Sequence, residues 1–168
     1  MKKDNTQFIE LIKKQKNNFP LDQAFYTNQE IYDIDVKNFL FNQWIFIGHE
    51  SRIPNKGDYF LFDIDKESII IIRGDNKINC FFNVCRHRGS HICVNKEGKM
   101  NKLVCPYHSW VYDLDGKLIK ARMMPKNFDK ENWKLHKCNS INFEGLIFIN
   151  LSDNPDDFNE FIKPTRNF

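Results

Sequence analysis

The spacing of hydrophobic residues changes near Trp44. Before this position apolar residues recur every three or four positions, which predicts helices. After it they form short runs rich in Ile, Phe and Val, separated by turn residues such as Gly74-Asp75-Asn76 and Asp115-Gly116, which predicts strands. The predicted strands cover residues 44–48, 58–64, 68–73, 78–84, 100–104 and 145–151. Short strands joined by short turns indicate an antiparallel, mainly β fold.

Two helices are predicted before the strands and one after them. The first covers residues 8–12 and ends before Asn17-Asn18. Thr27 and Glu30 form a capping-box pair that predicts the start of the second helix. The predicted buried face of that helix includes Ile31, Ile34 and Phe39. The acidic segment 153–157 predicts a last helix of one or two turns that stops at Pro164, because proline interrupts a helix.

The composition fits a globular protein with a sheet-rich core. The chain has 168 residues, of which 41% are hydrophobic and 28% charged, and this balance excludes a disordered tail or a fibrous repeat. Sixteen phenylalanines favour sheets over helix bundles, because aromatic side chains pack well on a pleated surface. A chain of this length forms one domain, or one domain with a helical extension.

The charge and the termini restrict the partners. A net charge of +3 is too small to indicate a nucleic acid. No stretch approaches the roughly 20 apolar residues that cross a bilayer, and the N-terminus lacks the apolar core of a signal peptide. We therefore expect a cytoplasmic protein with no membrane partner. Five cysteines in such a chain indicate metal or redox chemistry rather than a disulfide framework.

Two short segments in the β region carry the candidate chemistry. They read Cys85-Arg86-His87-Arg88-Gly89 and Cys105-Pro106-Tyr107-His108, so Cys-x-His is followed after 17 residues by Cys-x-x-His. Two thiolates and two imidazoles suit either one tetrahedral zinc ion or a binuclear iron–sulfur cluster with two histidines on one iron. The tight spacing of Cys85 and His87 favours the cluster, because structural zinc sites usually separate paired ligands by two to four residues.

These segments resemble the Rieske [2Fe-2S] motif, and their flanks resemble the α-subunits of Rieske oxygenases, the ring-hydroxylating and quaternary-amine-oxidising enzymes. The similarity runs from about Phe25 to Pro155 and includes Trp44 and Tyr112-Asp113. It implies a mainly β Rieske antiparallel β-sandwich fold with N-terminal helices. In this interpretation residues 1–43 are a helical extension, 44–151 the Rieske domain and 152–168 a linker toward a catalytic domain.

The resemblance also implies roles for particular residues. Cys85 and Cys105 are the implied ligands of one iron, and His87 and His108 those of the other. The residues implied to surround the cluster are Arg88, Gly89, Tyr107 and Trp110. The chain is expected to pass electrons from a reductase or ferredoxin through its [2Fe-2S] cluster to a mononuclear Fe(II). That iron is expected in a catalytic domain of the same or a neighbouring subunit, in a full enzyme that is a homotrimer.

Three positions refine the resemblance. Ser90 and Tyr107 stand where the high-potential Rieske proteins of cytochrome bc complexes have a disulfide-bonded cysteine pair, so the chain resembles the low-potential oxygenase type. Ser109 stands where the family usually has glycine after the second histidine. If that position requires a positive φ, serine costs roughly 1 kcal/mol or more there.

Other conspicuous residues receive simpler interpretations. Trp110 and Tyr112 are predicted to pack beneath the second segment, and His91 to be a surface or hydrogen-bonded histidine. The cysteines outside the motif are predicted to be core thiols: Cys80, Cys93 and Cys138. Five basic residues accompany one acid, Glu97, in and between the ligand pairs, and predict either a solvated rim or a docking surface for an acidic electron donor. They are Arg86, Arg88, Lys96, Lys99 and Lys102.

The oxygen-activating iron of such enzymes is held by two histidines and one carboxylate. The histidines outside the motif form no such pattern, and they are His49, His91 and His136. We therefore expect the N-terminal part of a longer enzyme, or a split product that only transfers electrons. A stand-alone Rieske ferredoxin-like carrier and a zinc-stabilised interaction module are the alternatives. Residues 83–90 look closer to the choline, glycine betaine, stachydrine and carnitine oxygenases than to the dioxygenases with a separate β-subunit.

Overall fold

The computed structural model describes residues 6–167, with side chains from residue 8 to residue 165. The described chain forms two compact units, one up to Asn42 and one from Gln43 onward. The first unit is helical. Its elements are α1 (Thr6–Lys13), α2 (Ala24–Thr27), α3 (Gln29–Asn38) and a 3₁₀ turn over Leu40–Asn42. None of the described helices is both long enough and apolar enough to cross a membrane.

The N-cap of α3 differs from the predicted one. Thr27 ends α2, where its hydroxyl donates to the carbonyl of Gln23 at 3.1 Å. Asn28 is the cap instead, because its side-chain oxygen accepts from the N–H groups of Glu30 at 2.8 Å and Ile31 at 3.2 Å. The predicted Thr27–Glu30 capping box was therefore wrong, and the helix is capped one residue later by asparagine, which caps helices at least as well as threonine.

The buried face of α3 also differs in part from the prediction. Ile31 and Val36 are buried and Ile34 is half-buried. Phe39 is 59% exposed, and it lies one residue beyond the last residue of the helix. Including Phe39 in the buried face was therefore wrong, because the helical spacing does not continue to that residue.

The second unit is mainly β, and its three sheets are all antiparallel, which confirms the predicted fold class. One sheet has the order β1-β10-β9, formed by Ile45–His49, Leu146–Asn150 and Asn139–Phe143. The second has the order β4-β3-β2-β5, formed by Ile78–Phe82, Glu67–Arg73, Asp58–Ile64 and Glu97–Lys99. The third has the order β6-β7-β8, formed by Leu103–Val104, Val111–Tyr112 and Leu118–Lys120.

The central strand β3 explains how the unit is built. Ile69, Ile70, Ile71 and Ile72 are all fully buried. Ile70 and Ile72 enter one hydrophobic core, whereas Ile69 and Ile71 enter another. Successive side chains of a strand point to opposite faces, so a strand covered on both faces has a continuous apolar run. The core that contains Ile70 and Ile72 also contains Cys85 and Cys105, and it therefore supports both candidate ligand segments.

Three cysteines are buried in these cores, as predicted. Cys80, Cys93 and Cys138 are at most 4% exposed. Burial raises the pKa of each thiol to about 12. These side chains are therefore protonated near neutral pH and pack as small hydrophobic groups.

The C-terminal segment is part of the second unit and packs against its first residues. Helix α4 covers Phe158–Ile162, and a 3₁₀ turn over Lys163–Asn167 follows it, so helical backbone continues through Pro164. Phe158 shares a core with Trp44, and the indole N–H of Trp44 donates to the carbonyl of Asp156 at 2.8 Å. The predicted role of residues 152–168 as a linker toward a catalytic domain stays a prediction.

Candidate metal centre

The first candidate segment, residues 85–90, follows β4 and is closed by two backbone hydrogen bonds. The N–H of Cys85 donates to the carbonyl of Ser90 at 2.8 Å, and the N–H of Gly89 donates to the carbonyl of Cys85 at 2.9 Å. Gly89 has φ +73°. A Cβ at this position would meet no atom within 4 Å. The backbone conformation, and not a lack of space, therefore favours glycine there.

The second segment, residues 105–110, joins β6 to β7 and repeats the same frame. The N–H of Cys105 donates to the carbonyl of Trp110 at 2.8 Å, and the N–H of Ser109 donates to the carbonyl of Cys105 at 3.0 Å. Ser109 occupies the position that Gly89 has in the first segment, and its φ is +56°. Ser109 therefore has the positive φ that is unfavourable for serine, which costs roughly 1 kcal/mol of folding stability.

The two segments bring the four predicted ligands together in like pairs. Cys85 and Cys105 are each 2% exposed, and both side chains belong to the same hydrophobic core. The rings of His87 and His108 lie 4.7 Å apart between centroids. Both cysteines are free. The two cysteines thus lie in one core, and the two imidazole rings lie next to each other.

The state of the imidazoles fits a bound metal. The Nδ1 atoms of His87 and His108 are buried and, among the described residues, have no hydrogen-bond partner. Buried polar atoms normally have one, so these two nitrogens are available as ligands. Burial lowers the pKa of His87, with smaller contributions from His108 and Arg88. The neutral ring that binds metal is therefore favoured.

The Cys85 thiol needs a bound metal to ionise it. Burial raises the pKa of the Cys85 thiol, and the neighbouring Cys105 also raises it. A bound metal ion reverses this effect, because its positive charge deprotonates a coordinating thiol. The donor set of two thiols and two imidazoles thus fits an iron–sulfur group.

The residues predicted to surround the ligands contribute in different ways. Trp110 is fully buried and stacks on His87, with ring centroids 4.7 Å apart and planes at 5°. Tyr107 is 60% exposed and its ring centroid lies 3.8 Å from that of His108. Arg88 is exposed and acts on His87 through its charge. Gly89 shapes the first segment through its backbone.

Tyr112 belongs to the site, although the sequence indicated only packing. Its hydroxyl oxygen accepts from the N–H of Arg86 at 3.2 Å and lies 3.4 Å from Sγ of Cys85. The hydroxyl proton is therefore free to donate to that sulfur. Burial raises the pKa of Tyr112, which keeps the donor protonated. Tyr112 lies on β7 and binds across to the other segment, so spacing along the chain could not reveal the contact.

Asn83 is a second residue that the sequence did not single out as functional. It is fully buried, and its oxygen accepts from the N–H groups of Ile92 and Cys93, both at 2.9 Å. Its amide nitrogen donates to the carbonyl of Cys93 at 2.8 Å. Asn83 therefore connects the end of β4 to the chain just after the first segment. The sequence signal that could have revealed its role is a polar asparagine inside the strand predicted over residues 78–84.

The charges between the ligand pairs have partners outside that part of the sequence. Glu97 and Lys99 lie on β5. Glu97 forms an ion pair with Arg52 at 3.1 Å, and Lys99 lies 3.9 Å from Asp58. Within the described residues the other four basic residues of that part of the sequence have no carboxylate at ion-pair distance, and they are Arg86, Arg88, Lys96 and Lys102.

Comparison with known proteins defines the class. The family model of the Rieske [2Fe-2S] domain matches residues 43–138. The chain therefore belongs to the Rieske [2Fe-2S] domain family, and its cofactor is one [2Fe-2S] cluster.

Individual relatives agree with this assignment. The chain is 36% identical to the glycine betaine monooxygenase oxygenase subunit of Pseudomonas aeruginosa over 161 residues, which are 95% of this chain and 38% of the relative. It is 38% identical to the carnitine monooxygenase oxygenase subunit of Escherichia coli strain K12 over 134 residues, 77% of this chain and 36% of the relative. The chain thus spans about two fifths of the length of these relatives.

Solved structures of Rieske oxygenases also superpose on this chain. The apo form of the quaternary ammonium Rieske monooxygenase CntA superposes with a TM-score of 0.79 at 32% identity, over 86% of this chain and 43% of that one. Naphthalene 1,2-dioxygenase from Rhodococcus sp. superposes with a TM-score of 0.83 at 26% identity, over 94% of this chain and 37% of that one. The chain corresponds to the Rieske part of such oxygenases.

Proposed function

We propose that the chain carries single electrons within a Rieske oxygenase, from a reductase or ferredoxin to a mononuclear iron in a catalytic domain of the same or a neighbouring subunit. The observation that carries this proposal is the convergence of two free thiols and two unpartnered imidazole nitrogens from two matching segments. When bound, the [2Fe-2S] cluster supplies one-electron exchange. The homotrimer expected for the full enzyme and a cytoplasmic location are parts of the same proposal.

In this proposal each pair of identical ligands binds one iron. Cys85 and Cys105 hold one iron, and His87 and His108 hold the other. The surrounding residues orient these ligands. Trp110 holds the plane of the His87 ring by stacking on it. Tyr112 directs its hydroxyl at the sulfur of Cys85.

The class of substrate of the full enzyme is proposed from the relatives. The matched glycine betaine and carnitine monooxygenase subunits are 36% and 38% identical to the chain, against 32% for the α-subunit of benzene 1,2-dioxygenase from Pseudomonas putida. We therefore favour a small quaternary amine over an aromatic hydrocarbon.

Metal and sulfide analysis of anaerobically purified protein tests the cluster. We expect about two iron and two sulfide per chain, with an EPR signal of low average g value because nitrogen ligates one iron. Stoichiometric zinc without iron, after expression in an iron-replete host, would support the interaction-module alternative and refute the electron-transfer function.

A His108→Cys substitution tests the ligand assignment. A thiolate donates more charge than an imidazole, so the fraction of molecules that retains a cluster should have a lower reduction potential. His91→Cys is the matched control, since His91 is exposed and lies outside the proposed ligand set. Equal potentials for the two variants would remove His108 from the ligands.

A further inference from the structure

A basic surface lies near Trp110. The stretch from Lys117 to Lys137 contains seven basic residues but only two acids, Asp129 and Glu131. It includes β8 and the 3₁₀ turn Glu131–Trp133. The second ligand segment ends at Trp110. The stretch therefore follows both ligand segments and does not lie between them.

A shallow depression on this surface combines positive charge with apolar walls. Its lining includes Lys120, Lys126 and Lys130 together with Ile119, Met124 and Phe128. The ammonium group of Lys130 donates to the carbonyl of Ile119 at 3.1 Å, which keeps its charge at the depression. Mixed apolar and cationic walls suit the acidic and apolar side chains of a protein partner.

The charge of the surface is concentrated at this depression. Lys117 and Lys134 both bind Glu131, at 2.9 Å and 3.4 Å. In contrast, within the described part of the chain neither Lys120 nor Lys126 has a carboxylate at ion-pair distance. Five of the seven basic residues thus have no such partner among the described residues, and three of them, Lys120, Lys126 and Lys130, line the depression.

Aromatic rings connect the depression to the metal centre. Phe128, in its wall, lies 5.7 Å from Trp110 between ring centroids, and Trp110 stacks on His87 at 4.7 Å. Trp133 contacts both rings, at 5.4 Å from Phe128 and 5.6 Å from Trp110. Electron transfer slows steeply with distance, so a donor at this depression has a short, well-packed route to His87.

We propose that this depression, defined by Lys120, Lys126, Lys130 and Phe128, is the docking site of an acidic electron-donor protein. The inference rests on the proposed electron-transfer function. One electron leaves the reduced iron–sulfur or flavin centre of the donor and reduces the [2Fe-2S] centre of this chain, and no atom moves with it. Charge complementarity selects the donor. An entry site here leaves the exposed side of His108, beside Tyr107, free for the electron acceptor.

A double charge reversal, Lys120→Glu with Lys126→Glu, tests the proposal in the cluster-containing 168-residue chain. The probe is a reduced plant-type [2Fe-2S] ferredoxin as the acidic donor, with cluster reduction followed by stopped-flow absorbance at several salt concentrations. We expect the second-order rate to fall about tenfold at low ionic strength, and its salt dependence to flatten or reverse.

The matched control is Lys96→Glu with Lys102→Glu, which changes the net charge equally but lies between the ligand pairs. We expect less than about a twofold decrease in its rate under the same conditions. Equal slowing in both variants would show a response to net charge alone and would overturn the docking site. A larger effect in the control would also overturn it, in favour of the surface between the ligand pairs.

Reduction by the methyl viologen radical cation separates damage from lost docking. A small cationic reductant is not attracted by lysines, so it should reduce the Lys120→Glu, Lys126→Glu variant at least as fast as the parent chain. If it reduces both chains and the ferredoxin rate is also unchanged by the substitutions, the docking site fails while the electron-transfer function stands. If neither reductant reduces the parent chain, the proposed function fails and the docking site fails with it.

Discussion

Ser109 and Gly89 occupy equivalent positions in two segments with the same backbone frame, and both have a left-handed conformation, with φ +56° and +73°. A glycine adopts this conformation at no steric cost, whereas a residue with a Cβ pays roughly 1 kcal/mol or more. The chain therefore carries a small local strain beside one proposed ligand, His108, and none at the matching position.

Substitutions at these two positions should change the stability of the protein in opposite directions. We expect Ser109→Gly to stabilise the protein slightly, by about 0.5 kcal/mol, because relief of strain exceeds the added flexibility of the unfolded chain. Gly89→Ala should destabilise it by about 1 kcal/mol, since the new Cβ meets no atom and only the backbone is strained. The temperature at which the cluster absorbance is lost measures the stability of both variants. Stabilisation by both substitutions would contradict the interpretation.

Tyr112 is expected to set the reduction potential. In Tyr112→Phe the sulfur of Cys85 loses a hydrogen-bond donor, so the reduced, more negative cluster is stabilised less. A difference of about 1 kcal/mol corresponds to a potential lower by roughly 40 mV for one electron.

Tyr59→Phe is the matched control for that measurement. Tyr59 is also buried, but its hydroxyl donates to the carbonyl of Asn95 at 3.3 Å and not to a ligand. Voltammetry should show its potential within about 10 mV of the parent value. A comparable shift in both variants would show that the Tyr112 hydrogen bond has no specific effect.

At the scale of elements, the fold brings two loops from different sheets to one place. The first follows β4, in the second sheet, and the other joins β6 to β7 in the third. Both meet over the core that contains Ile70 and Ile72 of β3. The position of the first loop relative to β4 depends on the buried side chain of Asn83.

Removing that side chain should loosen the first loop. Asn83→Ala leaves the N–H groups of Ile92 and Cys93 buried without their acceptor, at a cost of about 2–4 kcal/mol in the free energy of unfolding. We expect a lower melting temperature and a broadened EPR spectrum, because ligand geometry becomes less uniform. Asn95→Ala, at an exposed position, is the control and should change neither. An unchanged spectrum for Asn83→Ala would mean that the asparagine does not position the ligands.

At the scale of the whole molecule, the three hydrophobic cores of the second unit consist entirely of residues between Trp44 and Ile162. The division of the chain at Asn42 follows the same boundary. Among the described residues, the core that contains Cys85 and Cys105 is therefore built from the second unit.

A shortened chain that begins at Gln43 should therefore fold and bind its cluster. We expect iron content, sulfide content and EPR g values equal to those of the parent chain, because every residue placed at the centre lies after this point. A chain shortened further, to begin at Ile47, is the comparison. It lacks Trp44, which packs on Phe158, and should lose stability by about 3–5 kcal/mol. Loss of the cluster from the first shortened chain would contradict this picture.

The class of the protein and its mainly β fold could be predicted from the amino-acid sequence alone. Cys-x-His and Cys-x-x-His in two segments, together with the alternating apolar runs, were sufficient because ligand chemistry and strand periodicity are local properties. The strands that the pattern missed, β5, β7, β8 and β9, are short or polar, and β5 is fully exposed. Their formation depends on pairing with neighbouring strands, which no local pattern encodes.

The residues that act on the ligands from other parts of the sequence became visible only in the folded chain. Tyr112 reaches the sulfur of Cys85 from the opposite loop, and Trp110 lies flat against His87 rather than beside its own neighbour His108. Charge pairing was also decided by the fold, because Lys99 pairs with Asp58 of β2 and Glu97 with Arg52 of the 3₁₀ turn Glu50–Arg52. Among the described residues, Lys120 and Lys126 have no carboxylate at ion-pair distance. Hydrogen bonds, stacking and charge pairing depend on distances of a few ångströms, and folding sets these between residues far apart in the chain.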